Sequence, residues 1–419
     1  MPTTDRADVV VVGGGPAGAA AAWALARNGA DVLVLDRARF PRAKACAEYL
    51  SPQASRILAE MGALDAVERA GAAQLAGMTI HAPSGVSFEG RFAATHGFRG
   101  FRDRGIALRR ELLDTIILER ARAAGARVVE GSRVTDLRRG PDGRVTGVRT
   151  RGEAGAPDRD IHARVVIGAD GLRSVVARRL ALLRPPSLPH RVAFVSHFAG
   201  VSGIGDSGEM HVSTHGYCGL ASVGGGVTNV AVVIPQSHAA AARGRVDAFF
   251  EGWIGAHVAL APRFAHAERV SPVRTTGPFG ARTRRAWSPG AALVGDAAEF
   301  YDPFTGEGIY TALRGGELLG PYVCDALRAR SVRESDAALA AYDRCRRHEF
   351  AGKWRVERLI ALAVSMPRLF NHAARVLAHR THLADLLVGV AGDFVPAREL
   401  MRPRFLLQLL SPLPTRGCP

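Results

Sequence analysis

The residues of this chain best suited to chemistry begin at Val12-Gly13-Gly14-Gly15-Pro16-Ala17-Gly18, a GxGxxG pattern set between two apolar runs, with Asp36 closing the next one. Gly13 would permit a tight turn, Gly15 would let a pyrophosphate lie against the backbone, and Gly18 would let a helix pack closely on a strand. A helix opening at Pro16 and Ala17 would aim free N–H groups and its positive dipole end at phosphates. Asp36 would accept hydrogen bonds from a ribose diol. The fingerprint implies a dinucleotide and leaves open whether it is a flavin or a nicotinamide.

Two further stretches narrow that choice. Ala163 to Ser174 reads ARVVIGADGLRS, and Ala291 to Leu319 reads AALVGDAAEFYDPFTGEGIYTALRGGELL. In each, a buried strand ends in glycine and aspartate, where an open α/β sheet places its ligands. These motifs resemble those of the FAD-dependent monooxygenase and geranylgeranyl reductase superfamily, to which flavin halogenases are related, from Asp8 to the end of the helix after Gly308. The resemblance implies that Asp296, after Gly295, hydrogen-bonds the ribityl chain of FAD. It also implies that Pro303, Gly306, Glu307, Gly308 and Ile309 open a helix facing the N1 and C2 carbonyl edge of the flavin. A helix N-terminus there would stabilise the negative charge of reduced flavin. Arg110 matches the family arginine near the pyrophosphate, with an exposed helix charge as the alternative. Asp170 would sit near the flavin or else cap the following helix. Ala17, Arg37, Lys44 and Val134 complete the expected cofactor contacts.

The segment Phe40-Pro-Arg-Ala-Lys-Ala-Cys46-Ala-Glu48 resembles the FPRxKxCGE loop of the geranylgeranyl reductases, with Ala47 in place of glycine. Cys46 and Glu48 are the candidate catalytic residues: a thiol and a carboxylate facing the flavin could donate a proton or orient a substrate. Cys46 can equally be a small buried residue. The reductases' YxWxFP stretch stands here as Tyr217-Cys-Gly-Leu-Ala-Ser222, without its tryptophan or Phe-Pro pair. Halogenases fit less well, because Trp253-Ile254-Gly255 does not match their WxWxIP motif and neither Lys44 nor Lys353 stands where their lysine is expected. The expectation is therefore an FAD-dependent monooxygenase that hydroxylates an aromatic, polyketide-like or isoprenoid molecule through a flavin hydroperoxide. NADPH, NADH or a separate flavin reductase would supply the electrons. The alternatives are a geranylgeranyl-reductase-like enzyme that reduces double bonds, a halogenase-like enzyme, and a non-catalytic electron relay.

The elements that must position these residues can be read from the apolar pattern. Asp8 to Val12, Pro16 to Asn28 and Asp31 to Asp36 form a βαβ unit. Arg109 to Ala124 is an amphipathic helix, Arg127 to Val129 and Val145 to Thr150 are short strands with a Pro141-Asp142-Gly143 turn between them, and Arg164 to Gly168 is a buried strand. Met78 to Phe92, His190 to Phe198, Glu209 to Val212 and Val227 to Ile234 read as an antiparallel sheet. From Ser335 the chain is helical, broken at Pro367, Pro396 and Pro403. The fold class is α/β: a Rossmann-type FAD-binding domain (1–75, 100–185 and 272–345), an inserted substrate domain (76–99 and 186–271) and a helical C-terminal region (346–419).

Bulk properties agree with a folded enzyme. The 47% hydrophobic and 22% charged content is that of a globular protein. Cys46, Cys218, Cys324, Cys345 and Cys418 form no CxxC pair, so neither a disulfide framework nor a zinc site is expected and a reducing cytoplasm fits. Met1 to Asp8 lacks the order of a signal peptide. The glycines and proline in the uncharged run Val9 to Ala26 argue against a membrane span. The net charge of +16 is almost all arginine, dispersed and without interleaved aromatics, which argues against nucleic acid. His211 and His215 read as ordinary strand histidines, His348-Glu349 lacks the second histidine of HExxH, and no metal is expected. The expected partner is an apolar or aromatic small molecule. The apolar segments Leu359 to Val364, Leu383 to Val390 and Phe405 to Leu410 suggest a lid over a greasy pocket, peripheral membrane or carrier-protein contact, or core packing.

Overall fold

The computed structural model describes residues 6–151, 158–185 and 190–411; Cys418 and the first five residues lie outside them. In chain order the elements that build the site are β1 (Arg6–Val12), α1 (Pro16–Ala26), β2 (Val32–Leu35), β3 (Gly77–His81), β4 (Ser87–Arg91), α2 (Arg110–Ala123), β5 (Arg127–Val129), β6 (Arg133–Arg139), β7 (Val145–Arg151) and β8 (Arg159–Gly168). There follow α3 (Val175–Arg179), β9 (Arg191–Ala199), β10 (Ser207–Ser213), β11 (Gly216–Ser222), β12 (Val227–Pro235), α4 (Val246–Gly255) and β13 (Ala291–Leu293). The rest is helical: α5 (Gly308–Arg328), α6 (Val332–Val364), α7 (Pro367–His379), α8 (Thr381–Ala391) and α9 (Pro403–Leu410).

The first sheet runs β13-β8-β1-β2-β5, all parallel, with Val9 level with Val165 on one side and Val32 on the other. Its strands are valine- and leucine-rich because they are buried on both faces, and such strands read as continuous apolar runs. The alanines of α1 and the glycines of α5 let these two helices approach closely: a Cβ on Gly316 would lie 2.7 Å from the Ala21 nitrogen. The sheet also carries the antiparallel pair β6 and β7; β6 falls in a stretch for which no strand was expected, just before the anticipated turn.

The second sheet runs β9-β12-β11-β10-β3-β4. The sequence suggested a mainly antiparallel sheet; one pair departs from that pattern, β3 and β10 being parallel with Met210 level with Ile80. The reason is connectivity: after β4 the chain builds α2, β5 to β8 and α3 and returns through β9 before β10, and a parallel pair needs such a long crossover. Its inner face meets α7 and α8, and its outer face is covered by α4. Pro367 and Pro403 open helices at the first position, where the missing N–H costs nothing. Among the described residues no helix is long and apolar enough to cross a membrane.

Candidate functional site

The glycine-rich loop divides into positions fixed by the fold and one left for a ligand. Gly13 has φ +104°, and a Cβ there would lie 2.5 Å from the Ala169 carbonyl oxygen; one on Gly18 would lie 1.8 Å from the Gly13 oxygen. Both are demanded by close backbone approach. At Gly15, by contrast, the nearest atoms to an added Cβ are guanidinium nitrogens, Arg42 at 3.4 Å and Arg110 at 4.0 Å. Buried Asp114 aligns both arginines: Arg110 makes paired bonds to it of 2.6 and 2.8 Å, and Arg42 lies 3.0 Å away. An open backbone facing two forked cations is a donor set suited to a diphosphate. The Arg110–Asp114 spacing of four residues on a helix was one available signal for this clamp; for Arg42 the signal was its place in the FPRxKxCGE-like loop.

Asp36 is buried and accepts from the N–H groups of Gly14 and Ala38, both at 2.8 Å. Each oxygen keeps a lone pair for a ribose hydroxyl. Arg37 beside it is exposed. These features fit the adenosine half of FAD.

Gly15, Ala17, Lys44, Cys46, Arg110, Asp296, Pro303, Gly306, Gly308 and Ile309 line one cavity of about 150 Å³ between the two sheets. Gly295 lies beneath it, 2.8 Å from the Ala17 Cβ by its own absent Cβ. The first turn of α5 has no side-chain cap, so its N–H groups stay available at the cavity edge. Lys44 is exposed at the cavity wall; the protein packed around it, and then the nearby Arg110, lower its pKa below the usual lysine value. Val134 does not line the cavity: it packs on β6 in the core of the first sheet. Asp170 takes the capping alternative, accepting from the Ser174 hydroxyl and the Val175 amide, both at 2.6 Å, at the start of α3. Its neighbours Ala169 and Gly171 meet the cavity, so its carboxylate shapes the loop that does.

Cys46 and Glu48 lie together on the cavity wall, with the Glu48 amide 3.3 Å from the Cys46 sulfur. Glu48 is 2% exposed at φ +61°. Its Oε1 accepts from the Arg110 amide at 2.8 Å, and its Oε2 from His197 Nε2 at 2.7 Å and Asn229 Nδ2 at 3.0 Å. Asn229 also binds the Cys46 carbonyl at 2.9 Å, and His197 Nδ1 meets the Ser271 hydroxyl at 2.9 Å. Glu48 thus positions the loop between the sheets rather than standing free as a donor. Sequence reading missed His197 and Asn229, which are direct cross-strand partners; a buried asparagine inside the apolar run of β12 was the signal.

On the outer face of the second sheet, His211 stacks on His81 with ring centres 4.2 Å apart and bonds Glu209 at 2.8 Å. These three could converge on a metal ion, but Arg263 already holds the position a cation would take, 2.5 and 2.8 Å from the two Glu209 oxygens and 3.5 Å from His211. His215 is exposed beyond the strand end.

A second chamber of about 300 Å³ lies between the inner face of the second sheet and α6 to α9. Its walls are almost wholly apolar, from Ile80, Phe88, Phe370 and Leu377 to Leu406 and Leu410, and Met210 borders both it and the cofactor cavity. Gly219, where the reductase motif has tryptophan, lines the cofactor cavity next to Met210, with the Met210 methyl 3.6 Å from where a Cβ would be. Tyr217 donates a 2.6 Å hydrogen bond to Asp302 and lies edge-on to Phe304, bracing the turn before α5.

The FAD binding domain family matches residues 6–354. The chain is 30% identical over 406 residues to digeranylgeranylglycerophospholipid reductase 2 of Methanopyrus kandleri, covering 93% of both chains. It is 29% identical over 409 residues to menaquinone reductase of Mycolicibacterium smegmatis, covering 93% of this chain and 92% of that one. Among solved structures, the fold is shared with a geranylgeranyl bacteriochlorophyll reductase-like protein from Thermoplasma acidophilum (TM-score 0.73, 23% identity, 97% and 96% covered). It is likewise shared with a myxobacterial chondrochloren halogenase (TM-score 0.77, 24% identity, 84% and 82% covered). With a glycine cradle, paired arginines and a helix N-terminus converging on one cavity, this chain belongs to the FAD binding domain family and is an FAD-dependent oxidoreductase.

Proposed function

We propose that this enzyme reduces carbon–carbon double bonds in an isoprenoid chain borne by a lipid or a quinone. The observation that carries the reading is the apolar chamber meeting the cofactor cavity at Met210. A hydroxylase for a small phenol needs polar groups to orient its substrate, whereas a prenyl chain offers only apolar surface, and burying it stabilises binding by roughly 0.8 kcal/mol per CH₂. The relatives' reductions of digeranylgeranylglycerophospholipid and menaquinone support this choice over the oxygen insertion expected from sequence. Gly219 in place of tryptophan then widens the passage instead of arguing against prenyl substrates.

Bound FAD would supply a hydride. The chain's own residues hold the diphosphate through Arg42 and Arg110, fix the Cys46 loop through Glu48, and keep water from the reacting carbons with the apolar chamber. Electrons come from NADPH, NADH or a separate reductase. The exposed Leu406, Leu407 and Leu410 on α9 at the chamber rim suit contact with a membrane surface from which such a substrate enters.

The test is anaerobic. FAD-loaded protein is reduced chemically and mixed with a geranylgeranyl lipid or menaquinone, and the product mass is read. Gain of two hydrogen atoms per double bond with flavin reoxidation is expected. Failure with every prenyl compound, together with oxygen-dependent gain of one oxygen atom on a phenol, would overturn the reading in favour of hydroxylation.

A further inference from the structure

Four carboxyl groups and two cations are shut into the wall between the cofactor cavity and the apolar chamber. Glu307, 4% exposed, lines the chamber, while its neighbours Gly306 and Gly308 line the cofactor cavity. Lys353 on α6 lies 2.7 Å from Glu307 Oε2 and is also paired with Asp393, past the end of α8. Glu357, one turn further along α6, lines the same small void as Glu307. Asp302 is satisfied separately, by Arg191 at 2.7 Å and the Tyr217 hydroxyl at 2.6 Å. The other groups facing this cluster are the buried Tyr49 hydroxyl, which has no hydrogen-bond partner, and Tyr310, whose ring lies 4.6 Å from the Lys353 ammonium, with Arg314 and Glu349 beyond it.

Counting charge gives the first step. Arg191 balances Asp302, which leaves Glu307, Glu357 and Asp393 against Lys353 alone. Two carboxylates facing one enclosed void repel each other, because both only accept hydrogen bonds; a proton held by Glu307 or Glu357 relieves this. Burial acts the same way, pushing Glu307 up to about 7 against the opposing pull of Lys353 and raising Glu357 well above the usual carboxylate range.

Location gives the second step. Reducing an alkene needs a proton as well as a hydride, and the chamber walls are otherwise nearly devoid of acids. We propose that Glu307 and Glu357 share a stored proton at the junction of the two cavities, and that Glu307 delivers it to the substrate during double-bond reduction. This rests on the function proposed above. One alkene carbon takes a hydride, with both its electrons, from reduced flavin; the other uses the π pair to bond the Glu307 proton. Delivery leaves Glu307 and Glu357 both carboxylates, and the pair takes up its next proton from water through a small void of about 30 Å³ that touches both residues on the polar side of the wall. Glu307 is then a catalytic residue and Glu357 a positioning one.

The experiment compares wild type, Glu307→Gln and Glu357→Gln, each checked for flavin absorbance and melting temperature. In flavin-free protein, infrared spectra of ¹³C-glutamate-labelled samples should contain a protonated carboxyl band at neutral pH that Glu357→Gln removes. In FAD-loaded protein reduced beforehand, reoxidation by a geranylgeranyl lipid should slow about 100-fold in Glu307→Gln, with chemical reduction of the flavin unchanged. Wild-type reoxidation should slow as pH rises through about 7, and Glu357→Gln should displace that dependence. No protonated band in wild type, or Glu307→Gln reoxidising at the wild-type rate, overturns the proposal while double-bond reduction stands. A wild type that reoxidises with no prenyl substrate overturns the reduction itself, and proton delivery falls with it.

Discussion

His197 Nε2 donates to Glu48 Oε2 across 2.7 Å, joining a strand of the second sheet to the loop that walls the cofactor cavity. The two residues lie 149 positions apart, and Glu48 reaches this bond from a left-handed backbone conformation that side chains rarely adopt. A contact held against backbone strain on both oxygens of a buried carboxylate orients the loop for its ligand. Replacing Glu48 by Ala should lower stability by about 3 kcal/mol, within the range for leaving buried polar partners unmatched, and weaken FAD. Thermal melting and flavin fluorescence titration check this; a Glu48→Ala protein that melts and binds like wild type refutes the clamp.

Gly15 and Gly18 should separate ligand space from packing space. Gly18→Ala forces an atom within 1.8 Å of the Gly13 oxygen and should destabilise the fold itself. Gly15→Ala meets nothing closer than 3.4 Å, so melting of the flavin-free protein should move little, by about 1 kcal/mol or less. Its FAD affinity should nonetheless fall at least tenfold, about 1.4 kcal/mol. Equal effects of the two on stability would remove the diphosphate from this position.

Gly219 should control passage between the cavities. Gly219→Trp places an indole beside Met210, where both cavities meet. KM for long prenyl chains should rise about tenfold or more, while short prenyl compounds are affected less. Steady-state rates over a chain-length series decide; a uniform effect across lengths would place the chain elsewhere.

Glu209 should make stability acid-sensitive. Burial alone would raise its pKa, but hydrogen bonds from Arg263 and His211 overcome this and lower it from 4.5 to about 2. A pKa depressed on folding contributes stability that is complete above the unfolded value and is lost as pH falls through the folded one. The contribution should therefore fade between about pH 5 and 2, amounting to about 1–2 kcal/mol after solvent screening. Urea midpoints of wild type and Glu209→Gln should converge across that window, and curves that stay parallel would contradict it.

The chamber rim should bind membranes. Leu407 is 70% and Leu410 59% exposed on α9, an arrangement suited to the acyl boundary. Wild type should co-sediment with anionic liposomes, and Leu407→Glu with Leu410→Glu should abolish this without changing melting temperature.

Local sequence alone determined the cofactor frame, because each part of it is written in consecutive residues. The turn glycines, Asp36 at the end of β2, the Gly-Asp pairs after β8 and β13 and the start of α5 follow from short-range pattern, and the parallel valine strands carry them to one sheet edge. Only the tertiary structure decided what these parts face. Asp114 aligning Arg42, His197 and Asn229 meeting Glu48, the parallel β3–β10 pair, Arg263 filling the histidine cluster and Glu307 meeting Glu357 all join residues from separate elements. Their pairing depends on how strands order and helices dock, and neither is set by any local period. The same reason separates the reaction expected from sequence from the reduction proposed here: a missing tryptophan read as a lost motif, whereas in the fold Gly219 lies beside Met210, which borders an apolar chamber.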